Sequence, residues 1–448
     1  MLQQNWPCFH NVLFARALMG ASLGFHIIYA AIGVGLPFML MLAEGLALYR
    51  GQEVYHEIAR RWIRPAAVLF AIGAVSGTIL SFELGFLWPE FMGFAGGLVG
   101  LAFTMEGFAF FTEAIFLSLY LYGERRLSRR AMFLCTVPMT VSAAASAVFV
   151  ISANAWMNTP AGFTLIAGKL ADVHPFRAMA NPAWLHEALH GTLASYVATA
   201  FALVGVYAMA ALRGAADDST QRALSLSLVV AALFLPLMLI SGDVAARAVA
   251  HTEQAKFAAM EGIFRTTRGA PLHIGGWPDV EAQEMRYAIR IPKLLSVLGF
   301  HDPEAVVVGL DAYPADQRPD PRLVHLFFQL MVGAFAVMAL PLLWAGWRRW
   351  RGRPDYSRGL LWLLLVASPF GFVALESGWL VTEFGRQPWV ATGYMRVAEA
   401  VTPRAGIGWV FLAFFAVYVS LTIGLVRLLL HRRPAETGNP ADQFRRHA

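Results

Sequence analysis

Nine stretches of the chain stay apolar long enough to cross a bilayer, which takes about 20 helical residues each. They lie at 14–47, 63–87, 95–122, 131–156, 184–212, 220–242, 321–346, 358–382 and 405–430. Their side chains are apolar nearly all round, so periodicity orients none of them. The pattern predicts an all-α polytopic membrane protein of about nine transmembrane helices. A polar stretch after the sixth run divides the chain into three parts. Residues 1–242 hold helices one to six, 243–320 form an extramembrane loop, and 321–448 hold helices seven to nine and a tail. No internal repeat recurs at a fixed period.

The polar connections orient these helices. Arg50, Arg60, Arg61 and Arg64 follow the first run, and Arg125, Arg126, Arg129 and Arg130 the third. Arg213 and Arg222 follow the fifth, Arg348, Arg349, Arg351 and Arg353 the seventh, and Arg432, Arg433, Arg445 and Arg446 the ninth. Every odd-numbered exit is basic, so the positive-inside rule places the N-terminus outside and the C-terminus in the cytoplasm. The 243–320 loop is then external. Composition agrees: the chain is 58% hydrophobic and 14% charged, against about 25% charged in soluble domains. The net charge of +6 sits in short arginine clusters between spans and points to no nucleic acid. Cys8 and Cys135 give neither a disulfide framework nor a metal-binding spacing. No basic n-region or cleavage site opens the chain, so a cleaved signal is not expected.

Six ligand-grade side chains interrupt the apolar runs: His26, Glu106, Glu113, His190, Met331 and Glu376. An ionisable group at membrane depth costs roughly 2.5–3.5 kcal/mol or more, so it usually has a partner and a task. Depth along the spans groups them. With about 1.5 Å rise per residue, His190 lies about 9 Å and Met331 about 15 Å from the outer face, and His26 about 18 Å down the first span. Glu106 and Glu113, seven residues apart, share one helix face. The set falls in the outer half of the membrane, and Glu83 and Glu376 lie near the outer ends of their spans. Taken singly, each has a bland reading. His26 alone is a hydrogen-bonded packing residue, and Met331 alone is core filler. His186, one turn before His190, reads as solvated at the interface, and so do Glu44, Glu383 and His325 near span ends. Joint occurrence is what suggests an intramembrane redox site.

Longer motifs sharpen this. Glu376-Ser377-Gly378-Trp379 precedes Glu383-Phe384-Gly385-Arg386-Gln387-Pro388-Trp389. Met105-Glu106-Gly107 precedes Phe110-Phe111-Thr112-Glu113, and Ala153-Asn154-Ala155-Trp156-Met157 closes the fourth run. Asn181-Pro182 leads to His190, Gly242-Asp243 opens the external loop, and Lys256 to Glu261 and Ile289-Arg290-Ile291-Pro292 follow. Together these resemble, in order and over nearly the whole chain, subunit I of cytochrome bd-type quinol oxidases in its short-loop form.

The resemblance implies an electrogenic enzyme. It oxidises quinol at the outer face and reduces O2 to water with cytoplasmic protons, generating a gradient without pumping. It implies two b-type haems plus a haem d or a third b-type haem. His190 and Met331 are implied as axial ligands of the low-spin haem. His26 and Glu376 are implied as iron ligands at the high-spin pair, with Glu106 beside them and Arg386 among the cofactor-binding residues. Which high-spin haem each residue serves stays open. Glu106 and Glu113 are implied for proton delivery, and Lys256 and Glu261 as the pair that contacts quinol. An integral subunit II, a small single-span accessory subunit and a bacterial inner-membrane location are implied too. One departure stands out: Gln329 occupies a position, two residues before Met331, where the family commonly has arginine. From the residues alone, a proton-coupled secondary transporter using Glu106, Glu113 and Glu376 is the alternative, although transporters usually show internal repeats. A non-oxidase structural paralogue is the other.

Overall fold

The computed structural model of the chain describes residues 6–431, apart from 124–125, 168, 216, 354 and 405. Arg125 and the arginines from 432 onward, used above for orientation, lie outside the described residues. Among the described residues nine helices are long and apolar enough to cross a membrane. In chain order the helices are α1 (Trp6–Arg50), α2 (Glu53–Leu87), α3 (Pro89–Gly123), α4 (Arg129–Asn158), the short α5 (Pro175–Met179), α6 (Trp184–Leu212) and α7 (Asp218–Thr252). There follow the loop helices α8 (Gln254–Glu261) and α9 (Leu294–Phe300), then α10 (Pro321–Trp350), α11 (Arg358–Ala367), α12 (Phe370–Arg386), the short α13 (Val397–Ala400) and α14 (Ile407–His431).

Local chemistry sets several helix starts. Ser128, Asp217, Asp320 and Ser357 each accept a backbone N–H in the first turn of α4, α7, α10 and α11. Such caps satisfy donors that have no partner within the helix. The eighth apolar run is interrupted: α11 ends at Ala367 and α12 begins at Phe370. Pro369 lies in the gap, where its ring removes a backbone donor. The sixth run extends further than expected. Helix α7 continues to Thr252, so Ser241-Gly242-Asp243 lies inside a helix and does not open the loop. The segment between α7 and α10 is ordered by two helices and small antiparallel pairings: Thr267–Arg268 with Val306–Val307, Leu272–Ile274 with Ile289–Ile291, and Trp277–Asp279 with Glu284–Arg286.

Helix α1 lies at the centre, packed against α2, α4, α6 and α14, while α3 pairs with α4, α6 with α7 and α10 with α12. One close approach joins α1 to α6. A Cβ on Gly35 would lie 2.2 Å from the Thr199 hydroxyl and 2.9 Å from the Ser195 carbonyl. The same hydroxyl donates to the Ala31 carbonyl at 3.1 Å. A groove of ≈ 1070 Å3 opens between α2 and α14, lined by Arg64, Ile72, Val75, Leu421 and Leu425 among others. None of the candidate site residues lines it.

Gly35→Ala forces α1 away from α6 and is expected to cost about 1–3 kcal/mol, the usual penalty of overpacking. Thermal unfolding in detergent reads it, and an unchanged Tm contradicts the close approach.

Candidate active site

Two histidines are held in the same way on different helices. On α1, His26 Nδ1 lies 2.9 Å from the Ser76 hydroxyl of α2. That hydroxyl donates its proton to the Ile72 carbonyl at 2.9 Å. A hydroxyl carries one proton and two lone pairs, so the serine oxygen is left to accept from Nδ1–H. On α6, His190 Nδ1 lies 3.0 Å from the Ser241 hydroxyl of α7, which donates to the Met238 carbonyl at 3.1 Å. The same logic applies. In both rings Nε2 is left with the lone pair, the form in which imidazole binds a metal. Each serine is followed by glycine, and each glycine makes room for the ring. A Cβ on Gly77 would meet His26 Cε1 at 3.1 Å, and one on Gly242 would meet His190 Cε1 at 3.4 Å. The sequence reading missed Ser76 and Ser241; the signal was the Ser-Gly pair, which occurs in the apolar runs at 76–77, 241–242 and 377–378.

Helix α12 lies between two of the candidate ligands. Glu376 turns to α1, where a Cβ on Gly24 would sit 3.5 Å from its carboxylate. Its Oε1 is buried without a hydrogen-bond partner. Two residues on, about 200° around the helix, Gly378 faces α10, where a Cβ would meet the Met331 sulfur at 3.0 Å. The bare glycine lets α10 and α12 close on the thioether. An orphaned carboxylate oxygen, two imidazoles with free Nε2 and a thioether in a glycine cradle make a donor set that fits haem iron.

The α3 carboxylates differ in surroundings. Glu106 is partly exposed and accepts from Ser146 of α4 at 3.1 Å. Glu113 is buried and borders a cavity of ≈ 10 Å3, shared with Pro37, Leu40, Leu117 and Met139. Glu113 is the one polar side chain in that lining. Glu83 is fully buried, accepts from Ser22 at 2.9 Å and leaves Oε2 without a partner.

At the mouth of the bundle, Asn158 is the hub. Its Oδ1 accepts from Lys256 Nζ at 3.0 Å and from Arg386 Nη1 at 3.3 Å, and its Nδ2 donates to Glu187 at 2.8 Å. Lys256 also pairs with Glu253. Arg386 pairs with Glu383 at 2.6 Å, and Glu383 accepts from Asn154 at 2.7 Å. Lys256 and Glu261, the pair expected to contact quinol, form no ion pair with each other. Lys256 takes Glu253 and Asn158, whereas Glu261 stands apart with Oε2 unpartnered. Glu253 lies one helical turn from Lys256, the spacing at which side chains meet, while Glu261 is five residues away. Burial alone pushes the Glu261 carboxyl up to about 8.

Several residues read as solvated are not. Glu44 is buried and accepts from Tyr120, with His56 Nδ1 at 2.8 Å. His325 is 1% exposed and contacts two backbone carbonyls. Glu383 is partly buried and paired, and both ring nitrogens of His186 are buried without partners. Residues near helix ends are covered here by the loop and by neighbouring helices, which the linear sequence does not display.

The family model for cytochrome bd terminal oxidase subunit I matches residues 14–436. The chain belongs to that family. It is 36% identical over 426 residues to a putative cytochrome bd menaquinol oxidase subunit I of Bacillus subtilis (strain 168), covering 94% of this chain and 96% of that one. It is 27% identical to a cytochrome bd-II ubiquinol oxidase subunit 1 of Escherichia coli (strain K12), covering 82% and 84%. A structure of the bd oxidase from Geobacillus thermodenitrificans superposes with a TM-score of 0.88 at 35% identity, covering 98% of this chain and 99% of that one. The family implies haem cofactors, a quinol substrate and a membrane setting in which subunit I works with subunit II. The transporter alternative falls with this assignment.

Asn158→Ala is expected to destabilise the protein by about 3 kcal/mol or more, since hydrogen bonds to charged groups contribute about 1.5–3 kcal/mol each. Arg222→Ala, which removes an exposed ion pair with Asp218, is expected to leave stability nearly unchanged, since solvent screens such pairs. Equal losses in thermal unfolding contradict the hub.

Proposed function

We propose that the chain is the haem-bearing catalytic subunit of an electrogenic quinol:O2 oxidoreductase. The observation that carries the reading is the pair of histidines, His26 and His190, each set by a Ser-Gly pair so that Nε2 is free. Haem, when bound, supplies one-electron transfer and the centre at which O2 takes up four electrons and four protons. His190 and Met331 hold the low-spin haem. His26 and Glu376 are ligands at the high-spin pair, with Glu106 next to them. Two b-type haems with a haem d, or a third b-type haem, complete the set. Arg386, with its Nε unpartnered, and Lys256 offer buried positive charge suited to haem propionates or the quinol oxygens.

The residues of this chain divide the proton work by face. A hydroquinone that loses two electrons also releases two protons. Glu261, buried and without a partner, accepts one of them on the outer side. Lys256, anchored by Glu253 and Asn158, holds positive charge beside the ring oxygen. On the opposite route, Glu113, buried on the face it shares with Glu106, takes cytoplasmic protons and passes them toward Glu106. Uptake and release on opposite faces separate charge without a pump. This reading sets the N-terminus and the 243–320 segment outside, the C-terminus in the cytoplasm, and the protein in the bacterial inner membrane. An integral subunit II and a small single-span subunit complete the assembly.

Quinol-driven oxygen uptake by the purified complex tests the reading. Glu261 accepts a proton only when ionised, and its raised pKa means that the ionised fraction grows as pH climbs toward about 8. The rate is therefore expected to rise through that range. Glu261→Gln is expected to lower it at least about tenfold, within the usual general-base contribution, and to remove the rise. A wild-type protein without quinol-driven uptake, or a Gln variant with the full pH profile, contradicts it.

A further inference from the structure

Helix α8 ends on a left-handed glycine, a common helix stop. Gly262 adopts a left-handed φ of +65° and its N–H turns back to the Ala258 carbonyl, as does that of Ile263 at 2.8 Å. The carbonyls of Met260 and Glu261 are thus left without intrahelical partners, as at any helix C-terminus. Two imidazoles take them. His325 Nδ1 lies 2.7 Å from the Met260 carbonyl, and His273 Nδ1 lies 2.8 Å from the Glu261 carbonyl. Both histidines are buried, at 1% and 6% exposure.

The second half of the contact runs through the hairpin at Gly275. Gln329 Oε1 accepts from the Gly275 N–H at 3.0 Å, and Gln329 Nε2 donates to the His273 carbonyl at 3.2 Å. His325 and Gln329 are one turn apart on α10, so they share a face, and Met331 follows two residues later. An amide both accepts and donates, and this position needs both at once. Arginine, which the family commonly has here, has donors alone and could not take the Gly275 N–H. The departure noted in the sequence therefore has a structural use.

We propose that Gln329 and His325 are positioning residues that strap the Glu261 end of α8 to the helix carrying Met331, and so fix the quinol-side carboxylate relative to the electron acceptor. This rests on the functional reading above. The strap joins the two ends of one transfer. The proton acceptor sits on α8, and the candidate haem ligand sits on α10. A displacement of about 1 Å at such a distance from the chemistry can lower turnover on the order of a hundredfold.

The test uses the intact complex and two variants. Gln329→Leu removes both arms. Gln329→Glu keeps the shape and the acceptor for Gly275 but loses the donor to His273, and so stays informative where the leucine variant does not assemble. Each is measured in three ways: quinol kcat/KM, oxygen uptake from a small artificial electron donor that does not use the quinol site, and amide hydrogen exchange over 272–276. The expected result for Gln329→Leu is a fall in quinol kcat/KM of about tenfold or more, artificial-donor uptake within about twofold of wild type, and hairpin exchange at least about tenfold faster, the scale of one or two lost hydrogen bonds. Gln329→Glu is expected to fall between. Faster exchange with unchanged quinol kcat/KM overturns the proposal by reducing the strap to a fold contact. Unchanged exchange overturns it as well. A wild-type complex that turns over no quinol sinks the functional reading and this proposal together, whereas a working wild type with unaffected variants sinks this proposal alone.

Discussion

Within an apolar span a polar side chain has no water to turn to, and its partner has to come from another helix. This requirement shapes the site. His26 and His190 sit on α1 and α6, and each is held through Nδ1 by a serine on the next long helix, Ser76 or Ser241. Each serine in turn is anchored on its own helix backbone. The chain of contacts fixes which nitrogen carries the proton, which way each ring points, and where two helix pairs meet. The glycine after each serine is part of the same arrangement, because a side chain there would press on the ring.

The same requirement explains the mouth of the bundle. Lys256 and Arg386 are buried cations, and a buried charge persists only when paired and hydrogen-bonded. Glu253, Glu383 and Asn158 meet that demand. Glu261 is left over, buried and alone, and that isolation suits it to take and release a proton. Its neighbourhood is held by backbone contacts from His273 and His325, which leave the carboxylate free.

Much of this was legible in the sequence. The nine apolar runs named the helices, because length and hydrophobicity alone decide which segments can span. The ligand-grade residues stood out because each is costly in such a setting. The Glu376 to Trp389 motif carried the family. What the sequence hid was pairing across helices. Ser76, Ser241 and Asn158 are ordinary residues until the fold brings an imidazole, a lysine or an arginine to them. Glu44 and His325 looked solvated because distance from a span end says nothing about what covers that end. The break at Pro369 and the extension of α7 to Thr252 were missed for a similar reason. An apolar run marks where a helix can lie, while caps, prolines and loop packing decide where it stops. Gln329 looked like a loss beside the family's arginine, and its two-sided contact with the hairpin emerges only from the fold.

The central claim is that the two serine-set histidines, Met331 and Glu376 hold haem. A dithionite-reduced minus air-oxidised absorption spectrum of the purified protein, with pyridine haemochrome analysis, tests it most directly. The account predicts haem at three per chain, with a b-type band that is lost in part in His190→Ala, and a far-red band where haem d is present. Folded protein without any haem contradicts the account and leaves the structural-paralogue reading in its place.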